Sequence, residues 1–293
     1  MLMDTGKKVD FHLHSSFSDG LFSPSRLMEI ASAAGLAAAG LTDHDTLKGL
    51  PEAHEAALRL GIELVPGVEI SVRDRDREIH ILGYYPRNCS MLDQVLENLQ
   101  KQRFKRMEQL VDRMIKLGFK ITLEEVLAEA GEAAPGRMHL ARILLKKKYV
   151  HTTDQAFSLY LNPGKPAYVA RDTPGVKDVM DLLLEVEALP VIAHPGAEGK
   201  KIVKELIPLG LKGIEVYHPD HGRAAVEYYS NLAAKEGLLV TGGSDYHGES
   251  IEHPGYQLQK SIAYSYLEKM KEPLARRHAR CQKKEAGGKK IHE

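Results

Sequence analysis

A parallel β/α architecture interrupted by a block of helices is the fold class this sequence predicts, and three observations predict it. Short apolar runs alternate with stretches of helical periodicity in both halves of the chain. That rhythm breaks after Pro86 and resumes near Val176. Clusters rich in His and Asp fall just after the apolar runs, where the loops of a β/α barrel converge on one face.

Val9 to Leu13 reads as the first strand, ending at His14. A helix follows over Ser25 to Ala34, with Ser23 placed to cap it, Pro24 at its first position and Gly35 as its stop. Leu36 to Thr42 reads as a strand despite its alanines. Pro51 to Leu60 is helical and stops at Gly61. Ile62 to Ile70 and Ile79 to Tyr85 are strand-like. From Leu92 to Leu117 the apolar residues Leu92, Val95, Leu96, Leu99, Leu110, Met114 and Leu117 recur at helical spacing. More helical stretches cover Leu123 to Ala130, His139 to Lys148 and Thr153 to Tyr160. The Met and Leu stripe of this block reads as core packing. After it come helices over Val176 to Glu187, Lys200 to Leu209 and Arg223 to Glu236. They alternate with strands at Leu189 to Ala193, Gly213 to Tyr217 and Leu238 to Thr241. Residues 1–88 and 166–274 therefore read as one barrel domain, 89–165 as a helical insertion, and 275–293 as a basic tail.

The 293 residues are 43% hydrophobic and 27% charged, as in an ordinary globular protein. Forty basic and forty acidic residues cancel, against the excess of positive charge usual in a purely electrostatic nucleic-acid binder. Cys89 and Cys281 are far apart and form no metal or disulfide spacing, which suits a reducing cytoplasm. No run approaches the ~20 apolar residues of a membrane helix.

The histidines carry the chemistry. His12 and His14 are two apart in a strand, so they share a face and can grip one ion, with Asp19 returning from the following loop. Thr42-Asp43-His44-Asp45 follows the next strand, Gly67-Val68-Glu69-Ile70-Ser71 comes after the third, and the fourth contains Glu78-Ile79-His80. Later strands deliver His194, His218 and Asp245-Tyr246-His247. Taken singly, His80 or His194 reads as a hydrogen-bonded structural residue. Crowded together, so many imidazoles and carboxylates would be costly without a cation. Nitrogen and oxygen ligands without thiolate suit Zn, Mn or Fe(II), and the donors outnumber the needs of one tetrahedral zinc. Two or three divalent ions are implied.

At these residues the sequence resembles the PHP (polymerase and histidinol phosphatase) family. The match runs from His12-Leu13-His14 and Ser18-Asp19-Gly20, through Thr42-Asp43-His44-Asp45, to Gly243-Ser244-Asp245-Tyr246-His247. The resemblance implies a distorted seven-stranded β/α barrel with a trinuclear site. One ion would take His12, His14, Glu69 and Asp245. A second would share Glu69 with His80 and His194, and a third would take Asp19, His44 and His247. The insertion, with Gly136-Arg137-Met138-His139 and Asn162-Pro163-Gly164-Lys165-Pro166, looks like that of the branch acting on nucleotides and short oligonucleotides. That branch implies 3′,5′-nucleotide bisphosphate phosphatase activity, 5′-to-3′ exonuclease activity on short 5′-phosphorylated RNA, or both.

The expected chemistry is hydrolysis of a phosphate ester by metal-activated water, with no serine or cysteine nucleophile. Arg137 and Lys165 are candidates to grip substrate phosphate, though each also reads as an exposed cation. His221 is a candidate phosphate contact or leaving-group acid. Asp43 and Asp45 are expected to orient ligand histidines. The alternatives are a histidinol-phosphate phosphatase and a non-catalytic, metal-stabilised nucleic-acid-binding module. The expected partner is a nucleotide or short oligonucleotide, with no membrane and no obligate protein partner.

Overall fold

The computed structural model describes residues 6–75, 77–87, 89–197, 199–248 and 261–275. Apart from residue 275, the basic tail lies outside the described residues, as does Cys281. The first half of the barrel contains β1 (Lys8–Leu13), α1 (Pro24–Ala33), β2 (Leu36–Leu41), α2 (Leu50–Leu60), β3 (Glu63–Asp74) and β4 (Arg77–Tyr84). Helices α3 (Ser90–Lys116), α4 (Leu123–Ala130), α5 (Arg137–Lys146) and α6 (Thr153–Ala156) follow, the last running into a π-helical turn at Phe157–Leu161. The chain returns through α7 (Val176–Glu185), β5 (Leu189–Ile192), α8 (Lys200–Leu206), β6 (Gly213–Tyr217), α9 (Arg223–Glu236), β7 (Leu239–Gly242) and β8 (Ile262–Ala263).

Local signals act as the sequence indicates. The Ser23 side chain accepts the Arg26 N–H, Pro24 opens α1, and Gly35 follows the helix at φ 76°. Gly61 closes α2 in the left-handed conformation, which costs glycine little.

The strands form one sheet in the order β7-β6-β5-β4-β3-β2-β1-β8. Its ends curl together: the Asp245 N–H donates to the His12 carbonyl at 3.0 Å, and Tyr246 bridges Leu13. The result is a nearly closed barrel. Two features depart from the expected seven parallel strands. A short eighth strand, β8, runs antiparallel to β1. The fourth, β4, runs antiparallel to both β3 and β5. The β3–β4 ribbon also extends past the expected end at Ile70, to Asp74 on β3 and back from Arg77 on β4. Arg75 turns at φ 55°, and Arg77 pairs with Asp74 at 3.0 Å.

Apolar residues on the outer face of the strands, including Val68, Ile70, Ile81, Ile192, Ile214 and Val216, pack under α7, α8 and α9. A second cluster joins Phe11 to Leu82, Tyr84, Leu189 and Val191, from strands far apart in the sheet order, and so fills the barrel interior. Helix α3 serves two cores. Leu92, Leu96 and Leu99 pack on the barrel, whereas Met107, Leu110 and Met114 pack with Val126, Leu140 and Leu144. The expected insertion begins at 89, but its separate core begins at Met107. No helix among the described residues is long and apolar enough to cross a membrane.

Candidate metal centre

The open end of the barrel collects side chains from six strands and their loops. β1 supplies His12 and His14, whose Nε2 atoms lie 3.0 Å apart. Asp19 comes from the loop after β1, His44 from the loop after β2, and Glu69 from within β3. His80 lies near the start of β4 rather than its end. Because β4 runs backwards, its start faces the same rim as the ends of its neighbours. His194 follows β5, and Asp245 and His247 follow β7.

Glu69 sits at the middle, fully buried. Its Oε1 lies 2.8 Å from His80 Nδ1 and 3.0 Å from His194 Nε2. Its Oε2 lies 3.0 Å from His44 Nδ1, 3.2 Å from His14 Nε2 and 3.3 Å from His12 Nε2. Asp245 Oδ1 is 3.0 Å from His14 Nε2, and Asp19 Oδ1 is 3.2 Å from His247 Nε2. Three overlapping groups result: His12, His14, Glu69 and Asp245; His14, Asp19, His44 and His247; His44, Glu69 and His80. Within each, the donor atoms all lie within 4.8 Å of one another.

Carboxylates and imidazoles packed this closely shift one another's titration strongly. Burial opposes ionisation of Glu69, yet the imidazoles of His44, His80 and His12 hold its carboxyl well below the usual range. Burial likewise works against His14, but Asp245 and Glu69 push it up to about 10. His80 rises against burial to about 9 beside Glu69 and Glu78. For His44 burial wins and the ring falls to about 4. Asp19 Oδ1, Glu69 Oε2 and Asp245 Oδ1 are buried without a hydrogen-bond partner. Orphaned carboxylate oxygens converging on imidazoles fit divalent cations, which would satisfy them together.

Backbone strain marks two of the converging residues. His194 has φ 24° and Asp245 has φ 52°, in a region that L-residues rarely occupy. Gly243 allows β7 to meet β1, since a Cβ there would lie 2.3 Å from the Cβ of His12.

The supporting residues differ from those expected. Among the described residues Asp43 hydrogen-bonds no histidine; it accepts from the Ser15 N–H, Ser15 Oγ and Ser18 Oγ, each at 2.6 Å. Asp45 also turns away from the ligand rings, to Arg103 at 2.8 Å and Arg171 at 2.7 Å. Their adjacency to His44 in sequence was the misleading signal, because side chains of successive residues in an extended segment point to opposite sides. Sequence reasoning missed Glu215, which accepts from His12 Nδ1 at 3.0 Å, and Asp10, which accepts the N–H groups of His12 and Ser244. A buried acid within an otherwise apolar strand was the available signal for both.

His221 does not present a free nitrogen. Its Nδ1–H donates to the Val216 carbonyl at 2.9 Å and its Nε2 accepts the Gly196 N–H at 3.0 Å, so the ring ties two loops together. His218 is better placed. Its Nδ1 accepts the Asp220 N–H, which leaves the proton on Nε2, 3.5 Å from Asp245 Oδ2. Arg137 reaches the rim, 3.6 Å from Glu78, which in turn lies 3.7 Å from His80. Arg106, also unforeseen, shares Glu78 at 3.5 Å and has a buried, unpartnered Nη2. Lys165 is exposed in the turn after the π-helix, with no ion-pair partner among the described residues. A cavity of about 220 Å³ opens beside Glu78, His80, His194 and Pro195.

The sequence model of the PHP domain matches residues 10–130. Over 261 residues the chain is 33% identical to a phosphoribosyl 1,2-cyclic phosphate 1,2-diphosphodiesterase of Eggerthella lenta, covering 85% of this chain and 98% of that protein. The chain belongs to the PHP family. Other PHP relatives include a 5′-3′ exoribonuclease of Haemophilus influenzae, 32% identical over 82% of this chain and 90% of the relative. A 3′,5′-nucleoside bisphosphate phosphatase of Chromobacterium violaceum is 32% identical, over 82% and 87%. Among solved structures, a protein of Bifidobacterium adolescentis described as a metal-dependent phosphoesterase superposes with a TM-score of 0.83 at 28% identity, covering 92% of this chain and 96% of that one.

Proposed function

We propose that the protein is a metal-dependent phosphoesterase acting on nucleotides, as a 3′,5′-nucleoside bisphosphate phosphatase, a 5′-3′ exonuclease on short 5′-phosphorylated RNA, or both. The observation that carries this reading is the overlap of three His/carboxylate groups at the barrel mouth, two of them sharing Glu69. His12, His14, Asp19, His44, Glu69, His80, His194, Asp245 and His247 would hold two or three divalent cations, of Mn, Fe or Zn. When bound, such ions supply a water of lowered pKa and positive charge for the phosphoryl oxygens.

The chain's own residues do the rest. Glu69 and the rings around it fix the ligand array at the open end of the barrel. Arg137, with Arg106 beside it, offers guanidinium donors to a substrate phosphate, for which Glu78 is the resident anion. Lys165 adds a more distant cation. His218 holds a proton at Nε2 on the rim and is the ring best placed to donate a hydrogen bond to a substrate oxygen, with His221 positioning the loop. Nucleotide substrates are supported by the exoribonuclease and bisphosphate phosphatase relatives. A second reading, hydrolysis of a phosphoribosyl cyclic phosphate, is supported by the Eggerthella lenta relative. No relative described above is named for histidinol phosphate, and a complete ligand array argues against a purely binding module.

The test is hydrolysis by the Mn2+-loaded protein, read as phosphate release from nucleoside 3′,5′-bisphosphates, as mononucleotide release from short 5′-phosphorylated RNA, and as phosphate release from phosphoribosyl cyclic phosphate and histidinol phosphate. Turnover of either of the first two is expected, and Asp19→Ala or His247→Ala should abolish it with the fold retained. Turnover of neither, or full activity in both variants, would overturn the proposal.

A further inference from the structure

Strand β6 alternates regularly. Ile214 and Val216 join the outer core beneath the helices, so Glu215 between them faces the barrel interior. It is fully buried. Its two oxygens have separate tasks. Oε1 lies 3.0 Å from His12 Nδ1, and Oε2 accepts the backbone N–H of His194 at 2.8 Å. The first contact places the His12 proton on Nδ1. That leaves the Nε2 lone pair directed at Glu69, 3.3 Å away, and Asp245, 3.4 Å away. The second contact holds the peptide of His194, the residue with φ 24°, and so holds the ring whose Nε2 lies 3.0 Å from Glu69.

We propose that Glu215 is a positioning residue that braces two ligands at once, His12 through its ring and His194 through its backbone, so that two parts of the metal centre form or fail together. This rests on the metal-centre part of the reading above and not on the substrate. The chemistry of the carboxylate is specific to the task. Both partners are N–H donors, and only a carboxylate offers two acceptor oxygens in one plane. A glutamine has one acceptor and one donor. If its oxygen faces His194, its NH2 meets His12 Nδ1 and drives that ring to the Nε2–H tautomer, which removes the lone pair from the centre. If its oxygen faces His12, its NH2 opposes the His194 N–H. An aspartate keeps both acceptors but is one methylene shorter, and it cannot span both partners.

The experiment is titration of chelator-stripped full-length protein with Mn2+, reading free Mn2+ by electron paramagnetic resonance. Glu215→Gln should weaken uptake at least about tenfold for two ions in step, within the ~10–100-fold range for partners of metal-ligating histidines. Glu215→Asp should fall between it and the wild type. His247→Ala, which removes a ligand from the Asp19 group, should weaken one ion and spare the others. Wild-type uptake by Glu215→Gln, or a loss confined to one ion, would overturn the proposal. Should the variants fail to fold, nitrogen-15 NMR of the imidazoles in stripped wild-type protein decides instead: His12 protonated at Nδ1 is expected, and an Nε2–H tautomer overturns the proposal. A wild-type protein that takes up no Mn2+ would bring down the metal-centre reading itself, a different failure from absent nucleotide turnover.

Discussion

At the scale of single residues, His139 shows how burial sets a pH dependence, here against the opposing pull of the Asp19 carboxylate. It is 2% exposed in α5, and its Nδ1 accepts the Gly136 N–H at 2.9 Å, securing the start of that helix. Burial lowers its pKa from 6.5 to about 4, because protonation would strand a charge and break the bond. The unfolded chain therefore takes up this proton first. The stability His139 contributes is complete above pH 6.5 and is lost as pH falls toward 4, by roughly 3 kcal/mol at 1.36 kcal/mol per unit. Urea midpoints between pH 7 and 4.5 should show the slope, and His139→Asn, which keeps an acceptor that does not titrate there, should flatten it. The residues of the candidate centre were legible in sequence because polar side chains at the ends of apolar runs stand out, as in His12-Leu13-His14. Glu215 and Asp10 were not, because one acid inside a short strand gives no sign of which distant ring it meets. Asp43 and Asp45 misled for the opposite reason: they adjoin a ligand in the chain and point elsewhere.

At the scale of elements, helix positions and stops were readable from capping residues and from Gly35 and Gly61. The direction of β4 was not, since a two-residue period is the same read either way. Its reversal is what lets His80, near the start of a strand, join residues that follow other strands. The double allegiance of α3 was equally hidden, because Leu99 and Met107 belong to one periodic stripe. That division carries a prediction. Leu110 is fully buried in the insertion core, and Leu110→Ala should cost about 2–5 kcal/mol there. Thermal unfolding should then separate into two steps, with Mn2+ uptake by the barrel near the wild-type level and KM for nucleotides raised as Arg106 and Arg137 lose their support.

Across the whole molecule, forty positive and forty negative charges balance, but not locally. Arg103, Arg106, Arg137 and Arg171 face Asp45 and Glu78 on the insertion side of the rim, an excess of guanidinium beside a cluster of carboxylates and imidazoles. On the barrel side, neighbouring carboxylates push His14 up to about 10 and His80 up to about 9, so protonation of these rings competes with cation binding. Apparent metal affinity should therefore climb as pH rises from 6 to 9, with protons released on uptake. Isothermal titration in buffers of different ionisation enthalpy measures that release, and a pH-independent affinity would contradict these assignments.

The barrel's last join has a consequence of its own. Among the described residues, β7 and β1 are not laced by a regular ladder but tacked by backbone bonds from the Asp245 N–H to the His12 carbonyl and from the His14 N–H to the Tyr246 carbonyl. His12 and His14 stand on one side of this seam, Asp245 and His247 on the other. A cation gripped from both banks would act as a clasp on a cylinder otherwise free to breathe, and deuterium uptake at the amides of His14 and Asp245 should slow many-fold once the clasp is shut.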